Sequence, residues 1–458
     1  MHNTMNKHKI LFLLVIILIV LACLSSIPYW TGIEAERQFT HFNDSFYPTV
    51  NLKPLDTTYQ RGWFHSKAET LVETVGFSSL GANQQRLLFV HEIAHGFMPL
   101  QSVLIRTTLY SKTGVDAPLN KPEDEVDEGS LLEVRTAIQV NGDSVSTLSM
   151  PTMAVNDQNA RLQWQGLQGS VYVKRDFAML QADIYMPEVQ LETAYGEIVI
   201  QGVMLNAELQ PNEAVLMSGK GSLSLADVQL KGKQTPFVKL EGIKLEGSND
   251  VESDYLSVLL KTCLQQIQVE TERYGPGYSD FELHHWHVPT LSRIKNIVAD
   301  IRNQGLSSQQ QTNVLMLKLM PEGLALLKQS PELAITRLHF ITNEGELQGT
   351  VRLKMEHFDI NIFALLMNPS LLLNALNAEL DLQISQSLYN WTQETNASKE
   401  TASQNRLGQY LKTLLSQGIL IPAADQPDYY RSQIQLKEGV LEVNGQQLPL
   451  ETLLNNAK

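Results

Sequence analysis

Cysteine is nearly missing from this chain: Cys23 and Cys263 are the two in 458 residues. A disulfide framework, a cysteine-rich zinc module and an iron–sulfur centre are thereby excluded. Charge is sparse at 18%, and acidic residues outnumber basic ones 49 to 35. Beyond the extreme N-terminus there is no Lys/Arg-rich run, so nothing concentrates positive charge against phosphates. Nucleic acid is excluded as a partner on that ground. There is no G-x-S-x-G, no glycine-rich phosphate loop and no dinucleotide fingerprint. Low-complexity tracts and fixed-period repeats are absent as well.

Long apolar runs are missing too, with one exception. Ile10–Leu24 carries no polar side chain, follows Lys7 and Lys9, and is followed by Tyr29-Trp30. The stretch 10–30 is ~20 residues, which at 1.5 Å per residue matches a hydrocarbon core of about 30 Å. The lysines place residues 1–9 in the cytoplasm, and the aromatic pair sits where an interfacial belt would. The same features fit a cleaved signal peptide, and Val20-Leu21-Ala22-Cys23 loosely resembles a lipoprotein cleavage box with lipidation at Cys23. The length and the aromatic belt favour an uncleaved single-pass anchor. A disulfide between Cys23 in the bilayer and Cys263 outside it is geometrically excluded, which leaves Cys263 as a small buried apolar residue.

What remains, 43% hydrophobic overall, is enough to bury large cores. Residues 34–46 read as a short helix, with Ile33, Phe39, Phe42 and Phe46 at helical spacing. Residues 60–250 show period-2 alternation instead. Val203, Leu205, Ala207 and Leu209 form one run, Leu223, Leu225, Val228 and Leu230 another, and Val238, Leu240, Ile243 and Leu245 a third. Glycines punctuate these runs, which argues for antiparallel sheet with one dry and one wet face. The segment 114–129, with five acids between Glu123 and Glu128, reads as an exposed loop.

From 251 the pattern is mixed. Pro289-Thr290 is a helix entry before the stripe Leu291, Ile294, Ile297, Val298 and Ile301. Residues 311–329, 361–367 with 371–375, and 403–417 read as further helices. Hairpins are expected around Asn343-Glu344-Gly345 and Lys437-Glu438-Gly439. The expected architecture is α+β: residues 1–9 cytoplasmic, 10–30 an anchor, 31–250 a mainly antiparallel β region, and 251–458 mixed α+β.

One string carries catalytic chemistry. His91-Glu92-Ile93-Ala94-His95 matches H-E-x-x-H, which on a helix places two imidazoles on one face for zinc and a glutamate beside the bound water. Glu125 or Glu128 would supply a third ligand. The flanks disagree: Arg86–Val90 favours a strand, on which positions i and i+4 lie about 13 Å apart, and Gly96 and Pro99 stop a helix. The extended metzincin pattern fails at Met98 and Gln101. A second cluster, His284-His285-Trp286-His287, would put His285 and His287 on one face of a strand. Its plainer reading is a half-exposed strand end whose rings pack or hydrogen-bond.

Three segments resemble a known family. Tyr59-Gln60-Arg61-Gly62-Trp63-Phe64-His65-Ser66 is similar to the Y-x-R-G-x-F-x-S segment of the YdgA/YihF-like bacterial inner-membrane family of unknown function. His95-Gly96-Phe97-Met98-Pro99-Leu100 resembles its H-G-x-x-P-L segment, and 439–451 its closing strand and Asn444-Gly445 turn. The resemblance implies an anchored envelope protein with a periplasmic body and no established activity. It centres on His95-Gly96 and Pro99 and does not require His91 or Glu92. It leaves Arg61-Gly62 as a turn, Trp63 and Phe64 as packing anchors, and Gly96 and Pro99 as residues that redirect the chain.

The functional expectation is therefore a non-enzymatic envelope protein, with no catalytic, cofactor or metal residue assigned, offering an extended sheet surface to a protein or lipid. A homodimer is compatible with such a sheet. The alternative is a membrane-anchored zinc hydrolase using His91, Glu92 and His95.

Overall fold

The computed structural model describes residues 32–33, 35–37, 39–40, 52–74, 86–98, 101–112, 130–156, 160–212, 216–233, 235–302, 308–359, 364, 368, 371–397 and 402–448. The expected anchor at 10–30, the segment 114–129 read from sequence as an acidic loop with Glu125 and Glu128, residues 41–46, and most of the expected helix 361–367 lie outside them. Among the described residues no helix is long and apolar enough to cross a membrane. The chain divides into two compact units: 1–156 with 162–189, and 157–161 with 190–458.

Unit 1 is built from β1 (Leu52–Arg61), β2 (His65–Thr74), β3 (Arg86–Met98), β4 (Gln101–Lys112), β5 (Leu132–Ile138), β6 (Ser144–Met150), β7 (Met153–Asn156), β8 (Ala160–Trp164), β9 (Leu167–Val173) and β10 (Leu180–Thr193). The ladder runs β1-β2-β3-β4-β5-β6-β9-β10, antiparallel throughout. Alternation along β2 sends Ser66, Ala68, Thr70 and Val72 to one face, where all four are buried. Across the ladder the same face carries His91 opposite Ala68 and Ile93 opposite Ser66. Residues 32–40, helical where described, contribute Gly32 and Phe39 to that face.

Unit 2 contains β11 (Gly196–Asn212), β12 (Leu216–Gly232), β13 (Val238–Glu252), β14 (Tyr255–Val269), β15 (Glu272–His287), β16 (Glu332–Thr342), β17 (Gly345–Met355), β18 (Leu376–Ser385), β19 (Ile421–Pro422), β20 (Tyr429–Lys437), β21 (Val440–Val443) and β22 (Gln446–Leu448). Consecutive strands pair antiparallel from β11 to β18, then β20, β21 and β22, with β19 on β20. One row of register partners crosses ten strands: Ala207, Gly221, Gly247, Leu260, Phe281, Ile335, Val351, Leu380, Ile434, Val443. It carries no polar side chain, so it marks the dry face.

Helices close that face at its C-terminal end. Ile384 packs with Leu388 and Tyr389 of helix Gln386–Ala397, Leu411 of helix Ala402–Ser416, and Leu420. Leu436, Leu441 and Val443 pack under Leu373 and Leu376. The other end differs sharply: from 190 to 287 not one described residue is fully buried.

The helix starting at Val288, the helices Ser308–Leu327 and Ala402–Ser416, and both hairpins form where the sequence places them. Helix Gln386–Ala397 is absent from the sequence reading: among its described side chains Leu388, Tyr389 and Thr392 are the buried ones, too few for a continuous apolar stripe. Trp63 and Phe64 are corrected: both are about half exposed at the β1–β2 turn, where a tight reversal points its tip to solvent. Cys263 is half-buried opposite Lys244 rather than buried. The Asn444-Gly445 turn is present, with positive φ at both residues as the twist of a two-residue hairpin requires. Asn444 also accepts from the Gln433 amide and donates to the carbonyls of Gly418 and Ile419. Asn444→Ala is expected to cost about 2 kcal/mol through those bonds and the left-handed backbone, measured as a fall in thermal midpoint.

Candidate functional site

The two motif segments of unit 1, some thirty residues apart in sequence, meet. The Gly62 amide donates to His65 O, and a Cβ on Gly62 would lie 2.3 Å from that oxygen, so only glycine makes the turn. The His95 amide donates to Phe64 O, and His95 Nδ1 lies 3.0 Å from Trp63 O. A carbonyl only accepts, which assigns the ring proton to Nδ1 and leaves Nε2 as an acceptor. Ser66 Oγ then donates to Nε2 at 2.9 Å. Ser66 is 4% and His95 5% exposed. Gly32 lies against the His95 ring, so closely that a Cβ there would sit 2.4 Å from Cε1. Glu36 pairs with Arg61 at 3.0 Å, and Phe39 lies 5.0 Å from the His91 ring and 5.5 Å from Tyr59.

The arrangement of serine, imidazole and an orienting acceptor has the hydrogen-bond order of a nucleophile and its base. Burial under Gly32 closes it to a substrate. His91 Nδ1 bonds Thr107 Oγ1 at 2.8 Å, while its Nε2 is buried with no hydrogen-bond partner among the described residues. Burial pushes the His91 pKa down to about 4 and that of Tyr59 up.

The helical zinc site does not form. Residues 86–98 are strand β3, laddered on both sides, so His91 and His95 share a face about 13 Å apart. Glu92 points the opposite way, exposed, with Arg106 at 3.8 Å. The apolar, strand-favouring flank Leu87–Val90 overrides the motif. Among the described residues no group of histidine, cysteine and acids is placed to hold a metal.

In unit 2 the uncovered end of the dry face forms a trough. Its floor is the row Ala207, Gly221, Gly247, where side chains are minimal or absent. One wall is Leu205, Leu223 and Leu245; the other side carries Leu209 and Val258, with Asn249 folded onto the Met217 carbonyl and the Gly219 amide. The concavity measures about 460 Å³. The two flanking rows lie about 13 Å apart along the strands.

Over residues 5–451 the chain matches the family described as bacterial protein of unknown function, DUF945. The chain belongs to this family. Nothing among curated proteins or solved structures matches it. The match takes in both units, so the Ser66–His95 knot and the trough lie within one DUF945 sequence.

The second histidine cluster of this DUF945 chain is dispersed. A bulge at the end of β15 gives His285 a positive φ and breaks the alternation that would align it with His287. His284 Nε2 bonds Glu282 at 2.9 Å, His287 Nδ1 bonds Thr290 Oγ1 at 2.8 Å, and Tyr255 packs against His285 and His287. The polar side of β16–β20 was not singled out from sequence. There Glu346 accepts from Tyr429 and meets His339 Nε2, and Arg431 pairs with Asp381. These partners hold both carboxyls below the usual range: Tyr429 first for Glu346, Arg431 first for Asp381. The alternation of 203–209, 223–230 and 238–245 signals the strands of the trough but not that their apolar face is left without a helix over it.

Proposed function

We propose that this protein is a membrane-anchored periplasmic binding protein that holds a hydrocarbon chain on the uncovered dry face of unit 2. The observation that carries the reading is the stretch 190–287: strands with a sorted apolar face and no fully buried side chain among the described residues. An apolar face of this extent whose side chains stay only half-buried marks an interaction site. A trough floored by small residues and flanked by leucines suits a single flexible chain, which fills concave apolar space without a matching register. The apolar run 10–24 and the resemblance to an inner-membrane family support the location. Binding rather than conversion is supported by the closure of Ser66 and His95.

Gly247 supplies the test, because a Cβ there meets nothing nearer than 3.9 Å. Gly247→Leu in the full chain is expected to keep its circular dichroism and thermal midpoint. It should weaken binding of a fluorescent fatty-acid probe at least about tenfold, the loss that ~1.4 kcal/mol represents. Equal binding by both proteins, or none by the wild type, overturns the reading.

A further inference from the structure

Helix Ser308–Leu327 leaves Met316, Leu317 and Met320 exposed, at 67%, 74% and 40%. Thr312 and Asn313 complete the same exposed stripe, while Val314, Leu315 and Leu319 turn inward. This helix packs against helix Val288–Arg302, and Arg293 bonds Glu322 across the pair. The pair stands at one end of the trough. The Val288 amide donates to Asp254 O in the β13–β14 turn, and Tyr255 Oη bonds Gln329. Asn249 and Val258, from the trough row nearest that turn, are within a few residues of it.

Charge separates this element from the rest. Between 288 and 328 there are five basic and two acidic residues, in a chain of net −14. Lys295 and Lys318 are exposed and pair with no carboxylate among the described residues. Lys318 follows Leu317, so its charge flanks the apolar stripe about 100° round the helix.

We propose that the paired helices Val288–Arg302 and Ser308–Leu327 dock on an anionic lipid surface, seating Met316, Leu317 and Met320 in the headgroup–acyl boundary at the mouth of the trough. An apolar stripe flanked by lysine is the pattern of a helix lying in a membrane interface. The complementary charge commits the stripe to an anionic bilayer rather than to a second copy of this acidic chain. The proposal rests on the trough reading, since docking there brings acyl chains to the open face.

The test uses the full chain with Cys23→Ser and Cys263→Ser, and an environment-sensitive fluorophore on Met316→Cys. The control label sits on Tyr195→Cys, 88% exposed in the same unit. In phosphatidylglycerol vesicles the label at 316 is expected to blue-shift with a several-fold rise in intensity, and the label at 195 to stay unchanged. Pure phosphatidylcholine, raised salt, or Lys295→Glu with Lys318→Glu should each reduce the change. No shift at 316 on phosphatidylglycerol overturns the proposal. So does a shift that grows with protein concentration in micelles, which assigns the stripe to a second copy. Gly247→Leu distinguishes the two readings. A shift at 316 that persists while no fatty-acid probe binds removes the trough alone, and probe binding without the shift removes the docking alone.

Discussion

Replacing His95 with alanine is expected to destabilise unit 1 by about 3 kcal/mol, while Glu92→Ala stays within about 0.5 kcal/mol. The contrast follows from where the two side chains of one motif point. His95 is buried, with Nδ1 on Trp63 O and Nε2 on Ser66 Oγ. Truncation strands both partners in a dry site and leaves a cavity where Gly32 had closed over the ring. Glu92 faces water and makes one long, screened ion pair to Arg106. A catalytic H-E-x-x-H would instead make Glu92 as indispensable for activity as His95. Hydrogen exchange of the β2 and β3 amides reads the local loss directly: protection should fall in His95→Ala and hold in Glu92→Ala. Equal protection in the two variants contradicts the structural role.

Acid should weaken unit 1 before it titrates most carboxylates. His91 is held neutral by burial, its pKa lowered from 6.5 to about 4. The unfolded chain therefore binds a proton that the fold refuses, and stability rises with pH across that window. The contribution is fully present above pH 6.5 and is lost progressively down to pH 4, a change of about 3 kcal/mol. Below that, this group adds nothing further. Carboxyls held low by partners, such as Asp381 by Arg431, lose their contribution only as pH falls through their own lowered values. His91→Phe removes the titrating group where Phe39 and Phe89 already pack, so urea midpoints between pH 6.5 and 4 should flatten in that variant. A wild-type midpoint independent of pH in this range would show that His91 is open to water.

Much of the fold was legible because its signals are local. The stripe after Thr290, the Asn-Glu-Gly and Asn-Gly turns and the alternation of 203–245 each specify an element within a few residues. The neighbours Arg86–Val90 and Gly96 weighed against a helical H-E-x-x-H, again a local matter, and the ladder of β3 shows the strand they favour. Long-range closure was not legible. Nothing in the alternation of Leu205, Leu223 and Leu245 distinguishes a face that helices cover from one left open; that depends on where helices 386–397 and 402–416 dock. The meeting of Ser66 with His95 likewise depends on β2–β3 register, which the hydrophobic pattern fixes only once the partner strand is known. Trp63 was misread because a large apolar side chain looks like a core residue wherever it stands, including the tip of a turn.

The central claim is that the open face of unit 2 holds a hydrocarbon chain. Photocrosslinking the full chain with a diazirine-bearing fatty acid tests it most directly, with adducts mapped by peptide mass spectrometry. Adducts are expected in the peptides of β11 to β14, at Leu205, Leu223, Leu245 and Val258, and should fall in Gly247→Leu. Adducts confined to residues 10–30, or spread evenly over both units and unchanged in Gly247→Leu, would contradict it.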